Sequence, residues 1–130
     1  DKIKTIIAIN NKNTIDVVLE GLEGLEYIDI IGTANDGKEA YEKIINLKPE
    51  MVFAQYNMDS MSGYDIIKNS KKELENNIPI FNLIIDSEIK EEQIDEIYDE
   101  IGNKLNALIS EPISDSIINV ISEYEKTKEI

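Results

Sequence analysis

The stretch Lys48-Pro-Glu-Met-Val-Phe-Ala-Gln-Tyr-Asn-Met-Asp-Ser-Met-Ser-Gly-Tyr64 decides the fold. Residues 51–54 form a short apolar run of the kind that suits a strand covered on both faces, as in parallel sheets. Pro49 closes the preceding segment, because a residue before proline avoids the helical region. Asn57, Asp59, Ser60, Ser62 and Gly63 are loop chemistry, and a helical pattern follows. The order strand, loop, helix puts the loop at the carboxyl end of the strand, where ligands of open α/β sheets bind.

The same grammar repeats outward. Residues 4–9 are β-branched and apolar, a buried first strand, followed by the polar loop Asn10-Asn11-Lys12-Asn13. Thr14 or Asn13 is the expected cap of a helix with Ile15, Val18, Leu19 and Leu22 on one face and Gly24 as its stop. Residues 27–33 read as a second strand and Asn35-Asp36-Gly37 as a turn. Ala40, Ile44 and Leu47 are expected to be the buried face of the second helix. A third helix runs from Tyr64 to about position 74. Residues 78–85 are a fourth strand, with Pro79 tolerable only at its start. Ile94, Ile97 and Ile101 define an acidic fourth helix stopped by Gly102. Residues 105–110 are a fifth strand, and Pro112 opens a final helix faced by Ile113, Ile117, Val120, Ile121 and Tyr124. Five βα units imply a three-layer, doubly wound α/β fold. Its parallel five-stranded sheet is expected in the flavodoxin-like order 2-1-3-4-5, with the switch point between the first and third strands, at Asn10-Asn11 and Gln55-Tyr56-Asn57.

The central stretch also resembles the signature of response-regulator receiver domains, roughly Pro-Asp-Leu-Val-Leu-Leu-Asp-x-x-Met-Pro-x-Met-x-Gly, through Pro49-Glu50-Met51-Val52, Asn57-Met58, Met61 and Gly63. Gly32-Thr33-Ala34-Asn35-Asp36-Gly37-Lys38-Glu39-Ala40 and Ala107-Leu108-Ile109-Ser110-Glu111-Pro112 resemble two further blocks of that family, at the right spacing. The resemblance implies a phospho-accepting aspartate, and here that position is Gln55. It places the metal-binding acidic pair on Asn10 and Asn11, the fourth-strand hydroxyl on Ile84 with its small neighbour on Ile85, the lysine on Glu111 and the aromatic switch position on Leu108. Aspartyl phosphorylation requires a carboxylate nucleophile and a magnesium ion held by further carboxylates. An amide forms no acyl phosphate, and Glu111 has the wrong sign for a phosphoryl group. The resemblance therefore points to a degenerate receiver without enzymatic activity, cofactor or bound magnesium. Asn10, Asn11 and Gln55 are expected to hydrogen-bond one another, Ile84 and Ile85 to fill the core, Asn82 to be buried and bonded, and Asp59, Asp86 and Ser87 to be loop polars. The acidic run 88–100 reads as a solvated helix face.

Composition agrees with such a role. The 130 residues predict one domain, receiver-like over 1–124, with 125–130 ending the last helix or starting a linker to a further output domain. A chain that starts at Asp1 is expected to be a fragment. The formal charge of −14 argues against direct nucleic-acid or anionic-membrane binding. The absence of cysteine fits a cytoplasmic location. The expected function is a phosphorylation-independent regulatory and protein-interaction module of a bacterial response regulator, the N-terminal part of a transcription regulator. Alternatives are a stand-alone adaptor and a flavodoxin-like small-molecule binder using the neutral polar pocket. The partner is a protein or a second copy, met through a surface that includes Tyr98, Leu108 and Ile118.

Overall fold

The computed structural model describes residues 2–86, 88–110, 121–124 and 126. Strands β1 (Ile3–Ala8), β2 (Ile28–Ala34), β3 (Met51–Gln55), β4 (Ile80–Ile85) and β5 (Leu105–Ser110) alternate with helices α1 (Lys12–Glu23), α2 (Gly37–Leu47), α3 (Gly63–Leu74) and α4 (Glu91–Ile101). The strands form one parallel sheet in the order β2-β1-β3-β4-β5, as the sequence predicts. Residues 121–124 and 126 are helical; the other residues expected in the last helix, Ile118 among them, lie outside the described residues.

Strand parity divides the core into two layers. Ile6, Ala8, Val52, Ala54, Phe81, Leu83 and Ile85 pack with Ala40 and Ile44 of α2, Ile66, Ile67 and Leu74 of α3, and Ile97 of α4. Ile3, Ile7, Ile9, Met51, Phe53, Ile84 and Ile109 pack with Val18 and Leu22 of α1 and with Ile121. Each central strand must be apolar at both parities because both of its faces are covered, which is why these strands read as continuous runs. Every residue of β3 is buried.

Some expectations are corrected. Leu47 is 44% exposed, because α2 ends there and its buried side is carried by Gly37, Ala40 and Ile44. The α1 cap is Asn11, whose side chain accepts from the Thr14 N–H at 3.0 Å, rather than Asn13 or Thr14. Gly37 is the first residue of α2 rather than part of a turn, with Asp36 as its cap. β4 starts at Ile80, leaving Pro79 outside the hydrogen-bonded ladder. The strand edges elsewhere lie within one residue of those read from the sequence.

Candidate functional site

At the carboxyl end of the sheet, the last residue of β3 meets the loop after β1. Gln55 is 8% exposed, and its Oε1 accepts hydrogen bonds from the backbone N–H of Asn10 (2.8 Å) and of Asn11 (3.2 Å). The Asn10 and Asn11 side chains are exposed, and that of Asn11 is committed to capping α1. The expected mutual bonding is thus made by the Gln55 amide and two main-chain amides. These N–H groups precede a helix, where donors without an intrahelical partner gather, and a carbonyl oxygen satisfies them without a negative charge.

The loop after β3 is held as firmly. Tyr56 N–H donates to Ile84 O (2.8 Å) and Gly63 N–H to Tyr56 O (2.9 Å). Gly63 has no room for a side chain: a Cβ there would lie 2.4 Å from Gln55 O and 2.7 Å from Leu83 Cδ1. On the other side, Gly37 N–H donates to Asp59 O (2.9 Å), and Ser60 Oγ accepts from Lys38 N–H (3.0 Å) and donates to Asp36 Oδ1 (3.3 Å). Ser60 adopts a left-handed backbone conformation (φ 67°) to make this contact. A Cβ on Gly37 would stand 1.8 Å from Met61 O, so α2 can start against this loop only with glycine. This clamp between α2 and the β3–α3 loop has no cue in the sequence beyond Asp36-Gly37 and Ser60.

Ile84 is buried and fills the core face of α1, and Ile85 fills the opposite one. Asn82 is fully buried, its Oδ1 accepting from Asn106 Nδ2 at 2.9 Å. Asn106 is the residue passed over by the register shift between β4 and β5. Asp59 is exposed beyond the strand end, and the Asp86 carboxylate accepts from Asn57 Nδ2 (2.7 Å) and Glu88 N–H (2.9 Å). Glu111, Ser87 and Ile118 lie outside the described residues. Leu108 is half-buried against the core layer of α2, α3 and α4, whereas Tyr98 on α4 is 51% exposed. Half-buried Tyr64 has its phenol raised above the ordinary value, first by burial and then by Glu100, Glu96, Asp65 and Tyr56. It therefore stays neutral throughout the physiological range. Any stability it lends is complete below pH about 10 and is lost as pH rises through its raised value.

Magnesium, which the resemblance brings with it, does not fit the residues seen here. A hard dication wants charged oxygens. The positions offer two exposed amides and a third whose oxygen already accepts two N–H groups. Among the described residues no three Asp, Glu, His or Cys side chains are grouped to hold a metal ion. A hollow of about 210 Å³ beside the loop after β3, between Tyr56, Asn57, Asp86, Glu88, Ile89 and Gln93, is crossed by its own bonds, Asn57 to Asp86 and Gln93 Nε2 to Tyr56 Oη at 3.1 Å. No helix among the described residues is long and apolar enough to cross a membrane.

No family model matches the chain. Part of it is 36% identical over 66 residues to a protein-glutamate methylesterase/protein-glutamine glutaminase of Methanococcoides burtonii, covering 51% of this chain and 19% of that protein. Another match is 39% identical over 49 residues to the response regulator protein VraR of Staphylococcus saprophyticus, covering 38% of this chain and 23% of that protein. The matched segment is thus less than a quarter of either relative's length. Among solved structures, the receiver domain of the response regulator AraT from Geobacillus stearothermophilus superimposes with a TM-score of 0.77 at 17% identity, covering 98% of this chain and 99% of that one. The signal receiver domain of a modulated diguanylate cyclase from Desulfovibrio desulfuricans superimposes with 0.79 at 16% identity, covering 100% of both. The response regulator domain of Thermotoga maritima CheB gives 0.69 at 20% identity, over 98% of this chain and 93% of that one. The parallel 2-1-3-4-5 sheet with its alternating helices is the fold of a response-regulator receiver domain.

Proposed function

We propose that the chain is a regulatory receiver-type module of two-component signalling that works through protein contacts, without aspartyl phosphorylation and without magnesium. The observation that carries this reading is Gln55. It stands at the end of β3 with its amide oxygen bonded to the Asn10 and Asn11 N–H groups. A carboxamide there is no nucleophile toward phosphorus, and its neighbours bring no charge to hold a dication. In this reading the domain serves an output domain in a bacterial transcription regulator. It acts in the cytoplasm, contacts no nucleic acid itself, and meets its partner or a second copy through the α4 face on which Tyr98 is exposed.

The test is intact-mass measurement after incubation with acetyl phosphate and magnesium, on the wild type and on Gln55→Asp. Both are expected to keep their mass. The single variant would still lack a carboxylate pair at positions 10 and 11. A phosphoryl adduct on the wild type overturns the proposal, and efficient labelling of Gln55→Asp alone would show that the metal pair matters less than argued.

A further inference from the structure

A wide hollow lies at the opposite end of the sheet. It is a groove of about 570 Å³ lined by Lys2, Lys4, Lys48 and Lys104, with Pro49, Glu50, Ile78, Pro79, Ile80 and Tyr124 among its walls. Its lysines come from three places in the chain, the start of β1 (Lys2 and Lys4), before β3 (Lys48) and before β5 (Lys104), and the fold brings these three together. The chain carries 13 basic and 27 acidic residues, about one base for two acids. Among the described residues of this lining four lysines stand against a single acid, a local formal charge of +3. That acid is engaged: Glu50 Oε2 accepts from Tyr124 Oη at 2.7 Å. The ion pairs among the described residues use Lys12, Lys43, Lys71 and Lys126, and none of the groove lysines.

We propose that this groove is a binding site for a small molecule bearing two or more linked phosphates. Its volume lies within the range of small-molecule pockets, roughly 300–1,000 Å³. Every basic residue of the chain is lysine, a movable point charge that suits the spread oxygens of phosphate, whereas paired recognition of a carboxylate favours arginine. The surrounding charge of −14 selects for compactness. A small multivalent anion seated within a Debye length of about 8 Å feels chiefly the four ammonium groups, whereas a long acidic polymer would also meet the repelling remainder of the surface. The apolar wall of Pro49, Ile78, Pro79 and Ile80 offers contact to an organic body attached to the phosphates.

The experiment is titration of the ¹⁵N-labelled chain with sodium pyrophosphate and, separately, with ADP. Both series run without divalent metal at constant ionic strength, following the amides of Lys4, Lys48, Lys104 and Tyr124. Saturable shifts confined to these positions are expected with at least one titrant. Equal affinities assign recognition to the phosphates alone, and tighter ADP binding assigns a share to the apolar wall. Lys48 holds a left-handed conformation (φ 48°) that glycine adopts more easily. Lys48→Gly therefore removes one ammonium without threatening the fold, and combined with Lys4→Gln it should weaken binding by about tenfold or more. Shifts that fail to saturate with either titrant overturn the proposal, as does binding unchanged in the double variant.

Discussion

The two ends of this sheet are built on opposite plans. At the carboxyl end the loops are packed to contact: Gly37 and Gly63 admit no Cβ, Ser60 bridges to Asp36, and Gln55 satisfies two main-chain amides. At the amino end four lysines surround an open groove, and a Cβ on Gly24, where the chain turns toward β2, would meet nothing within 4 Å. The topology of a doubly wound sheet directs attention to the carboxyl end. In this chain the loops there are packed around a neutral amide, Gln55, and positive charge has collected at the other end. Fold marks where a site can be, but the local residues determine whether one is there.

That contrast can be broken by substitution. The largest effect is expected for Gly37→Ala, whose methyl would meet Met61 O. Displacing a backbone carbonyl from the clamp should cost about 3 kcal/mol in chemical denaturation; a loss under about 1 kcal/mol would mean that the loop is looser than its contacts indicate. Next comes Gln55→Leu, similar in bulk but without an acceptor. It leaves the Asn10 and Asn11 N–H groups without that partner and should cost about 1–3 kcal/mol, with chemical-shift changes concentrated in the loop after β1. A neutral outcome would show that water replaces the amide freely. The smallest effect is expected at the open end. Gly24 has φ −79° and ψ −4°, which alanine adopts without strain, so Gly24→Ala should gain about 0.4–1 kcal/mol by restricting the unfolded chain. Destabilisation there would show that the amino end is tighter than it looks.

Much of this architecture was legible in the residues. Runs such as residues 51–54 are apolar at both parities, and the 3.6-residue spacing of Val18 and Leu22 or Ala40 and Ile44 marks the helix faces. Leu47 misled because periodicity continues to a helix end where the covering layer does not. Asn11 was visible as a polar loop residue, but its part in starting α1 depends on where the chain turns, one or two residues from where propensity puts it. At the site, the replacement of charges by amides was readable from identity alone. That Gln55 would bond main-chain rather than side-chain amides was not, since it depends on the register of β1 against β3. The amino-end groove was hidden because its lysines come from three separate places in the chain, Lys2 with Lys4, Lys48 and Lys104, and these meet through the parallel ladder.

Gln55 also gives the molecule an internal clock. Asn10 and Asn11 are surface residues whose amide hydrogens would ordinarily be replaced by solvent deuterium quickly, yet both are covered by a side-chain oxygen from a strand more than forty residues away. Their replacement waits for the β1 and β3 loops to part, so the exchange lifetime of these two amides measures how often that parting occurs. If their lifetimes match those of the β3 amides, the two loops separate only when the whole sheet unfolds. If they are shorter, their ratio to the β3 lifetimes gives the free energy of a local opening, and with it how much freedom this end of the domain retains to change shape.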